Sequence, residues 1–339
     1  MKRITLLLIT ALQLPAIAGA SAIDAMIING EYSQAYQTAH QALTTASDNT
    51  ARQQAKRDLA RILIQQDKLQ QAEALLHEML QGNDKVVRDT LLDADIQDAQ
   101  ASLLRRTLRS KEALSYAEQA LALRRKLLGE EHLLVAESLN NLALLLVDMK
   151  KTDTAKTLYQ QALTIRQKMA GQESYEAAET LHNLGTLYAR AKQYDDAEQQ
   201  LLSALHIKQK ILRPNHPRTL NTLSRLGSLY TDKKQYPEAI TTLNTVMEGI
   251  QENGMAESVI AGITQRELAD AYHYQRQIEA AERHYKASLD TLEKVLGTQH
   301  YAYGVALNGL GWLYYKNGRA ADGKKMIAES ESIIDKAPR

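Results

Sequence analysis

Cysteine and phenylalanine are absent from the 339-residue chain, tryptophan occurs once and proline five times. Without cysteine there is no disulfide, no thiolate zinc site, no iron–sulfur cluster and no cysteine nucleophile. With no phenylalanine, the 16 tyrosines must fill the large aromatic packing positions. A surplus of one charge is missing too: 41 Lys and Arg stand against 40 Asp and Glu. Phosphate binding draws on clustered basic residues, so the balance argues against a nucleic-acid partner. What remains, 44% hydrophobic and 24% charged residues, is ordinary for a soluble folded protein. Length alone would allow roughly two domains.

The one long apolar run lies at the start. Lys2 and Arg3 precede Ile4 to Leu14, then Pro15 and small residues. This is the basic, apolar, small-residue order of a secretory signal peptide over 1–20. Ala18-Gly19-Ala20 and Ala20-Ser21-Ala22 both suit cleavage, after Ala20 or after Ala22. The run is short of the ~20 residues that span a bilayer. With no Cys after it, a lipid-modified cysteine is excluded. The expected location is periplasmic or secreted, with no stable membrane span once the signal is removed. Without Lys2 and Arg3 the chain holds 39 basic and 40 acidic residues.

An internal repeat accounts for most of the rest. Leu142, Leu184, Leu226, Leu268 and Leu310 are each 42 residues apart. A small residue always follows: Ala143, Gly185, Gly227, Ala269, Gly311. Leu146, Tyr188, Tyr230, Tyr272 and Tyr314 stand four residues after each Leu. Twelve beyond the small residue come Ala155, Ala197, Ala239, Ala281 and Gly323, and seven later Ala162, Ala204, Val246, Ser288 and Ser330. Leu139, Leu142, Ala143 and Leu146 share one helix face, and Ala155, Leu158, Tyr159 and Ala162 share another. Small residues let two helices of a hairpin approach, while Tyr or Leu fills the space beside them. Basic residues where the first helix ends (Lys150, Lys151, Arg190, Lys233, Lys234, Arg276, Lys316) and acidic residues opening the second (Asp153, Asp195, Asp196, Glu238, Glu279, Asp322) suit the helix dipoles.

The pattern drifts upstream through Ala101, Ala113 and Ala120, then Ala60, Ala72 and Met79, then Ile23, Ala35 and Ala42. Eight helix pairs are predicted, near 22–47, 51–83, 92–130, 134–172, 176–213, 218–252, 258–297 and 302–335. They make an all-α solenoid with no room for a separate enzymatic domain.

Leu, then Gly or Ala, then Tyr on one helix, and Ala then Ala on the next, resemble the tetratricopeptide repeat. The 42-residue form, with its connectors Leu128 to His132 and Leu212 to Pro217, looks like the kinesin light chain type rather than the 34-residue one. The resemblance is strong over 92–335 and weaker over 22–91, which read as degenerate N-terminal repeats. The last pair reads as a C-terminal cap, its helix loosened where Gly323 replaces Ala. The resemblance implies a right-handed superhelix that binds a protein or peptide without catalysis and without a cofactor. Its first helices would line a concave groove. The groove residues would be Asn140 and Asn141, His182 and Asn183, Ser224 and Arg225, Arg266 and Glu267, and Asn308, with Arg190, Asp232, Tyr274 and Tyr315 one turn on. Asn offers donor and acceptor to a peptide backbone, and Arg225 and Arg266 could hold a carboxylate. The alternative is that these are solvated residues with no fixed ligand.

Other chemistry finds little support. His132, His216 and His300 are 84 residues apart, which marks a repeat feature, a turn hydrogen-bonder rather than a metal ligand. His273 and His284 have no third partner at helical spacing. No H-E-x-x-H, G-x-S-x-G, S-x-x-K or Gly-rich phosphate loop occurs, and Gly309-x-Gly311 lies inside a helix. Segment 101–128 gathers Arg105, Arg106, Arg109, Lys111, Arg124, Arg125 and Lys126 after Asp84, Asp89, Asp93, Asp95 and Asp98. Mutual neutralisation across adjacent helices is the favoured explanation, a docking patch for an acidic partner or an anionic lipid surface the other. Trp312 could anchor a partner or close the solenoid's end. The expected role is a non-catalytic interaction scaffold. The alternative is a ligand- or peptide-responsive regulatory subunit of an envelope complex.

Overall fold

The computed structural model describes residues 21–81 and 89–336. The expected signal segment and Asp84 lie outside them. The described residues form sixteen α-helices and no strand, arranged as eight antiparallel pairs. The first helices are α1 (Ala22–Asn29), α3 (Asn49–Gln65), α5 (Leu91–Arg106), α7 (Leu133–Asp148), α9 (Tyr175–Arg190), α11 (Pro217–Asp232), α13 (Val259–Tyr274) and α15 (Tyr301–Lys316). The second helices are α2 (Tyr32–Thr45), α4 (Leu69–Gln81), α6 (Ser110–Leu128), α8 (Thr152–Ala170), α10 (Tyr194–Ile211), α12 (Tyr236–Glu252), α14 (Ile278–Leu296) and α16 (Ala320–Lys336).

Each helix packs on the next in the chain. First helices also pack on the first helices of neighbouring pairs, from α3 on α5 to α13 on α15, whereas no two second helices do so to the same extent. The stack is therefore tighter along its first helices, which line the concave side of an all-α solenoid.

Turn chemistry keeps the 42-residue beat. Asp48, Thr90, His132, Ser174, His216, Ser258 and His300, each 42 residues from the next, are the N-caps of α3 to α15. His132, His216 and His300 each accept a backbone N–H at 3.1 Å through Nδ1, which satisfies a donor the helix start leaves orphaned. The periodic histidines are caps. At the other end of the first helices, Leu108, Lys150, Lys192, Lys234, Arg276 and Gly318 hold left-handed turns at φ 60–88°. There Lys151 N–H reaches Leu146 O at 2.8 Å and Lys150 N–H reaches Val147 O at 3.0 Å, closing the helix end.

The small residues do what their spacing predicts. A Cβ on Gly185 would stand 2.6 Å from Leu201 Cγ and 3.1 Å from Ala197 O. One expectation is corrected. Gly323 does not loosen the last helix: it is buried, and a Cβ there would lie 2.5 Å from Tyr315 N and 2.6 Å from Gly311 O. Backbone meets backbone at this crossing, so glycine is the residue that fits. Gly323→Ala is expected to destabilise the α15–α16 end by about 2 kcal/mol despite alanine's better helix propensity. Urea unfolding followed by the emission of Trp312, on α15, measures it, and an unchanged midpoint would contradict the close crossing.

Candidate partner-binding groove

On the concave side of the first helices, α3, α5 and α7 enclose a cleft of about 140 Å³. Gln65, Ser102, Arg105, Arg106, Asn141 and Leu144 line it. Residues 65, 106 and 148 hold the last-turn place on successive first helices; the 42-residue register carries that place to Arg190, Asp232, Tyr274 and Lys316.

The expected groove residues divide into two sets. Asn141 lines the cleft, and Arg190 and Arg225 are exposed with no hydrogen bond or ion pair among the described residues. Tyr274 is 60% exposed and stacks on Tyr236 with ring centres 5.8 Å apart. Trp312 and Tyr315, 42% and 40% exposed, meet edge to face. Trp312 thus stays at the surface instead of sealing the end.

The second set is turned inward. Asn140 is 7% exposed and accepts from Asn183 Nδ2 at 3.0 Å, an amide bridge between α7 and α9. His182 is 8% exposed, its Nδ1 3.1 Å from Thr222 Oγ1 on α11. Ser224 donates to Glu267 Oε2 at 2.8 Å, and both are buried. Asn308 points away from the groove, donating to Ser330 Oγ on α16 at 2.9 Å. Arg266 is held by Asp270 at 2.5 Å and Glu267 at 3.3 Å, so it has no free edge like that of Arg225 for a carboxylate. Asn140, His182 and Ser224 are engaged because neighbouring first helices pack closely enough for side chains on their flanks to bond each other. Asn308 is held instead by the paired second helix, and Arg266 by carboxylates of its own helix.

A column of buried cations escaped notice in the sequence. Arg124, Arg166 and Lys208 are 42 residues apart on second helices, and each bonds a hydroxyl 14 residues on in the next first helix: Ser138 at 2.8 Å, Thr180 at 2.6 Å, Thr222 at 3.0 Å. Arg124 also pairs with Asp95 at 2.7 Å and Asp98 at 2.5 Å, and Lys208 with Glu179 at 2.6 Å. Arg166 has no carboxylate within 4.0 Å among the described residues. Ile250 and Leu292 take the same place further on, buried and apolar. The signal was available as charged residues in register with apolar ones.

The basic segment is neutralised within the chain, as favoured. Arg105 pairs with Asp148, Arg106 with Asp67, Arg109 with Glu73 and Glu112, Arg125 with Glu130 and Lys126 with Asp89. Among the described residues Lys111 is its only cation without an ion pair. No group of three metal-ligating side chains and no helix long and apolar enough to cross a membrane occurs among the described residues.

A tetratricopeptide repeat profile matches residues 92–168, 176–252 and 261–325, more than half of the chain. The chain belongs to the tetratricopeptide repeat family. Its fold is similar to that of kinesin light chain-type repeat structures. BtubC (BKLC) from P. vanneervenii is 24% identical, with a TM-score of 0.52 over 69% of this chain and 93% of that one. The nearly identical TPR-like repeats of a kinesin light chain-type protein from Podosopora anserina are 24% identical, with a TM-score of 0.50 over 60% and 96%. A Rap protein complexed with Competence and Sporulation Factor is 17% identical, with a TM-score of 0.64 over 84% and 78%. At these identities the likeness is one of fold. No curated protein matches the sequence. Tetratricopeptide repeats are protein-interaction modules, and the fold supports that role here.

Two buried histidines of the tetratricopeptide stack contribute stability that is lost in acid. Burial, then the Lys208 ammonium, lowers the His182 pKa to about 3 from an ordinary 6.5. Burial, then Arg213, lowers His216 to about 4. Unfolded histidines take up protons below about 6.5 and folded ones do not, so this stability is present above that pH and lost as it falls. Asp98 acts oppositely: burial raises it to about 6 from 3.8, so the folded state takes its proton first as pH falls. His182→Asn removes one of the lowered histidines that Asp98 opposes. The stability gap between wild type and variant is expected to close by about 1.4 kcal/mol per pH unit between pH 6 and 4. Denaturant unfolding across that range reads it, and parallel curves would place His182's titration in the ordinary range.

Proposed function

We propose that the protein is an exported, non-catalytic scaffold that grips a peptide or a partner protein in the groove of its first helices. The observation that carries this reading is the groove's inner surface, the half-buried Asn141 with the exposed Arg190, Arg225, Tyr274, Trp312 and Tyr315, on a preformed stack. Tyr, Trp and Arg are the side chains favoured at binding hot spots, and a preformed surface loses little ordering entropy on binding.

Export rests on the basic, apolar, small-residue order over 1–20. Ser21 caps α1, accepting from Asp24 N–H while Asp24 accepts from Ser21 N–H, both at 3.2 Å. Cleavage after Ala20 keeps that cap and cleavage after Ala22 removes it, which favours Ser21 as the mature N-terminus. Intact-mass analysis of protein from the envelope fraction should begin at Ser21. A mass that includes Met1 would end the export reading.

The groove is tested by mild cross-linking in the native envelope, comparing wild type with an Asn141→Ala/Arg225→Ala/Tyr274→Ala variant. A partner captured by the wild type and lost from the variant supports the reading. A partner kept by both moves the interaction to the convex face or the ends.

A further inference from the structure

The groove is chemically uneven along its length. In the N-terminal half the arginines near the inner rows already have carboxylates: Arg57 holds Asp58 and Asp95, Arg61 holds Asp24 and Asp58, Arg105 holds Asp148, and Arg106 holds Asp67. A partner's charge placed there would have to displace an internal one.

The last-turn row changes character beyond α7. Arg190 ends α9, Asp232 ends α11 and Tyr274 ends α13, at consecutive 42-residue intervals. All three side chains are exposed, and among the described residues neither Arg190 nor Asp232 makes a hydrogen bond or ion pair. Asp232 is an uneasy carboxylate: burial and then Asp270 raise its pKa, while Arg266 and Lys192 lower it. A cation brought alongside would relieve that repulsion. Next in the row, Tyr274 and Tyr236 present a stacked pair, and the exposed edge of Trp312 follows on α15.

Adjacent packed helices lie about 10 Å apart. An extended chain advances about 3.3 Å per residue, so three residues of peptide match one repeat. We propose that the C-terminal half of the groove reads an extended peptide with a basic residue midway between an acidic residue and an aromatic or large apolar one, at three-residue spacing. The peptide carboxylate meets Arg190, its cation meets Asp232, and its apolar side chain rests on Tyr274 and Trp312. This deepens the groove reading above and depends on it. The order of charges, with the cation in the middle, distinguishes it from a groove selective for net charge alone.

The full chain has a built-in probe, because Trp312 is its only tryptophan. Four capped peptides with Ser and Gly fillers test the order: Asp, Lys and Phe at three-residue spacing, the reversed sequence, and the two isomers with Asp in the middle. All four have the same composition and net charge. Both Lys-centred peptides are expected to shift Trp312 emission saturably and to bind at least about fivefold more tightly than the Asp-centred pair, less so as salt rises. In the Arg190→Asp/Asp232→Arg variant the preference should invert, with its thermal melt unchanged because both sites are exposed. Equal binding of all four, no emission shift, or a preference that survives the swap overturns the proposal. If the cross-linked partner is lost from the alanine variant while the peptides show no preference, this charge order alone fails. If that partner also persists, the groove reading fails with it.

Discussion

Ala197→Arg is expected to destabilise the protein by about 4 kcal/mol or more, because it forces bulk and charge into a closed helix crossing. Ala197 is 0% exposed, and its carbonyl oxygen lies 3.1 Å from where even a Cβ on Gly185 would stand. The arginine could be accommodated only by prising α10 from α9. In a stack whose repeats contact mainly their neighbours, that also severs the cooperative unit between the fourth and sixth pairs. A drop in melting temperature of roughly 10 °C is the scale such a loss implies. Gln199→Arg, two residues on and exposed, is the control and should stay within about 0.5 kcal/mol of wild type. Matching melts for Ala197→Arg and the control would mean that the repeat register is misplaced.

The second large effect is a contrast between two arginines at one repeat position. Arg124→Ile leaves the buried Asp98 without its guanidinium, while Asp95 keeps Arg57, and breaking the buried Asp98 pair costs about 3–5 kcal/mol. Arg166→Ile strands no carboxylate, since among the described residues Arg166 bonds only Glu176 O at 2.9 Å and Thr180 Oγ1 at 2.6 Å. Burial already pushes the Arg166 guanidinium's pKa down. The chain itself uses isoleucine in this place at Ile250, which is 0% exposed. Arg166→Ile is therefore expected to change stability by less than about 1 kcal/mol, because a buried charge and an apolar side chain of similar volume often come out even. The pH dependence separates the causes. Asp98, raised to about 6 by burial even beside Arg124, takes a proton more readily once Arg124 is gone. The Arg124→Ile deficit should be smaller at pH 5 than at pH 8, whereas the small Arg166→Ile effect should not follow pH that way. Equal deficits for the two variants by chemical unfolding would show that the column acts as packing rather than as charge.

Legibility followed the kind of interaction. The eight pairs could be read because each places small and large apolar residues at helical spacing, and a 42-residue period repeats that signal five times over. The capping histidines were visible as a period and became intelligible as Nδ1 acceptors at helix starts. The groove was half legible. Asn141, Arg190, Arg225, Tyr274 and Tyr315 reach the surface, but Asn140, His182 and Asn308 are engaged by neighbouring helices and Arg266 by carboxylates of its own helix. Two residues side by side, Asn140 and Asn141, differ by the 100° between consecutive helix positions, enough to send one into a helix flank and the other into the cleft. Gly323 misled because absence of a side chain signals looseness and close approach equally.

The sequence by itself determined the helix pairs, their register and the face on which each is apolar, since these depend on neighbours within one or two turns. The tertiary structure decided which polar side chains remain free, because that depends on how neighbouring first helices sit. Arg105 and Arg190 both stand near one groove, yet Arg105 meets Asp148 of the next first helix, while Arg190 meets no carboxylate among the described residues. Pairing across 40 residues of chain costs a charge its freedom, and the angle and spacing of packed helices decide which charges meet.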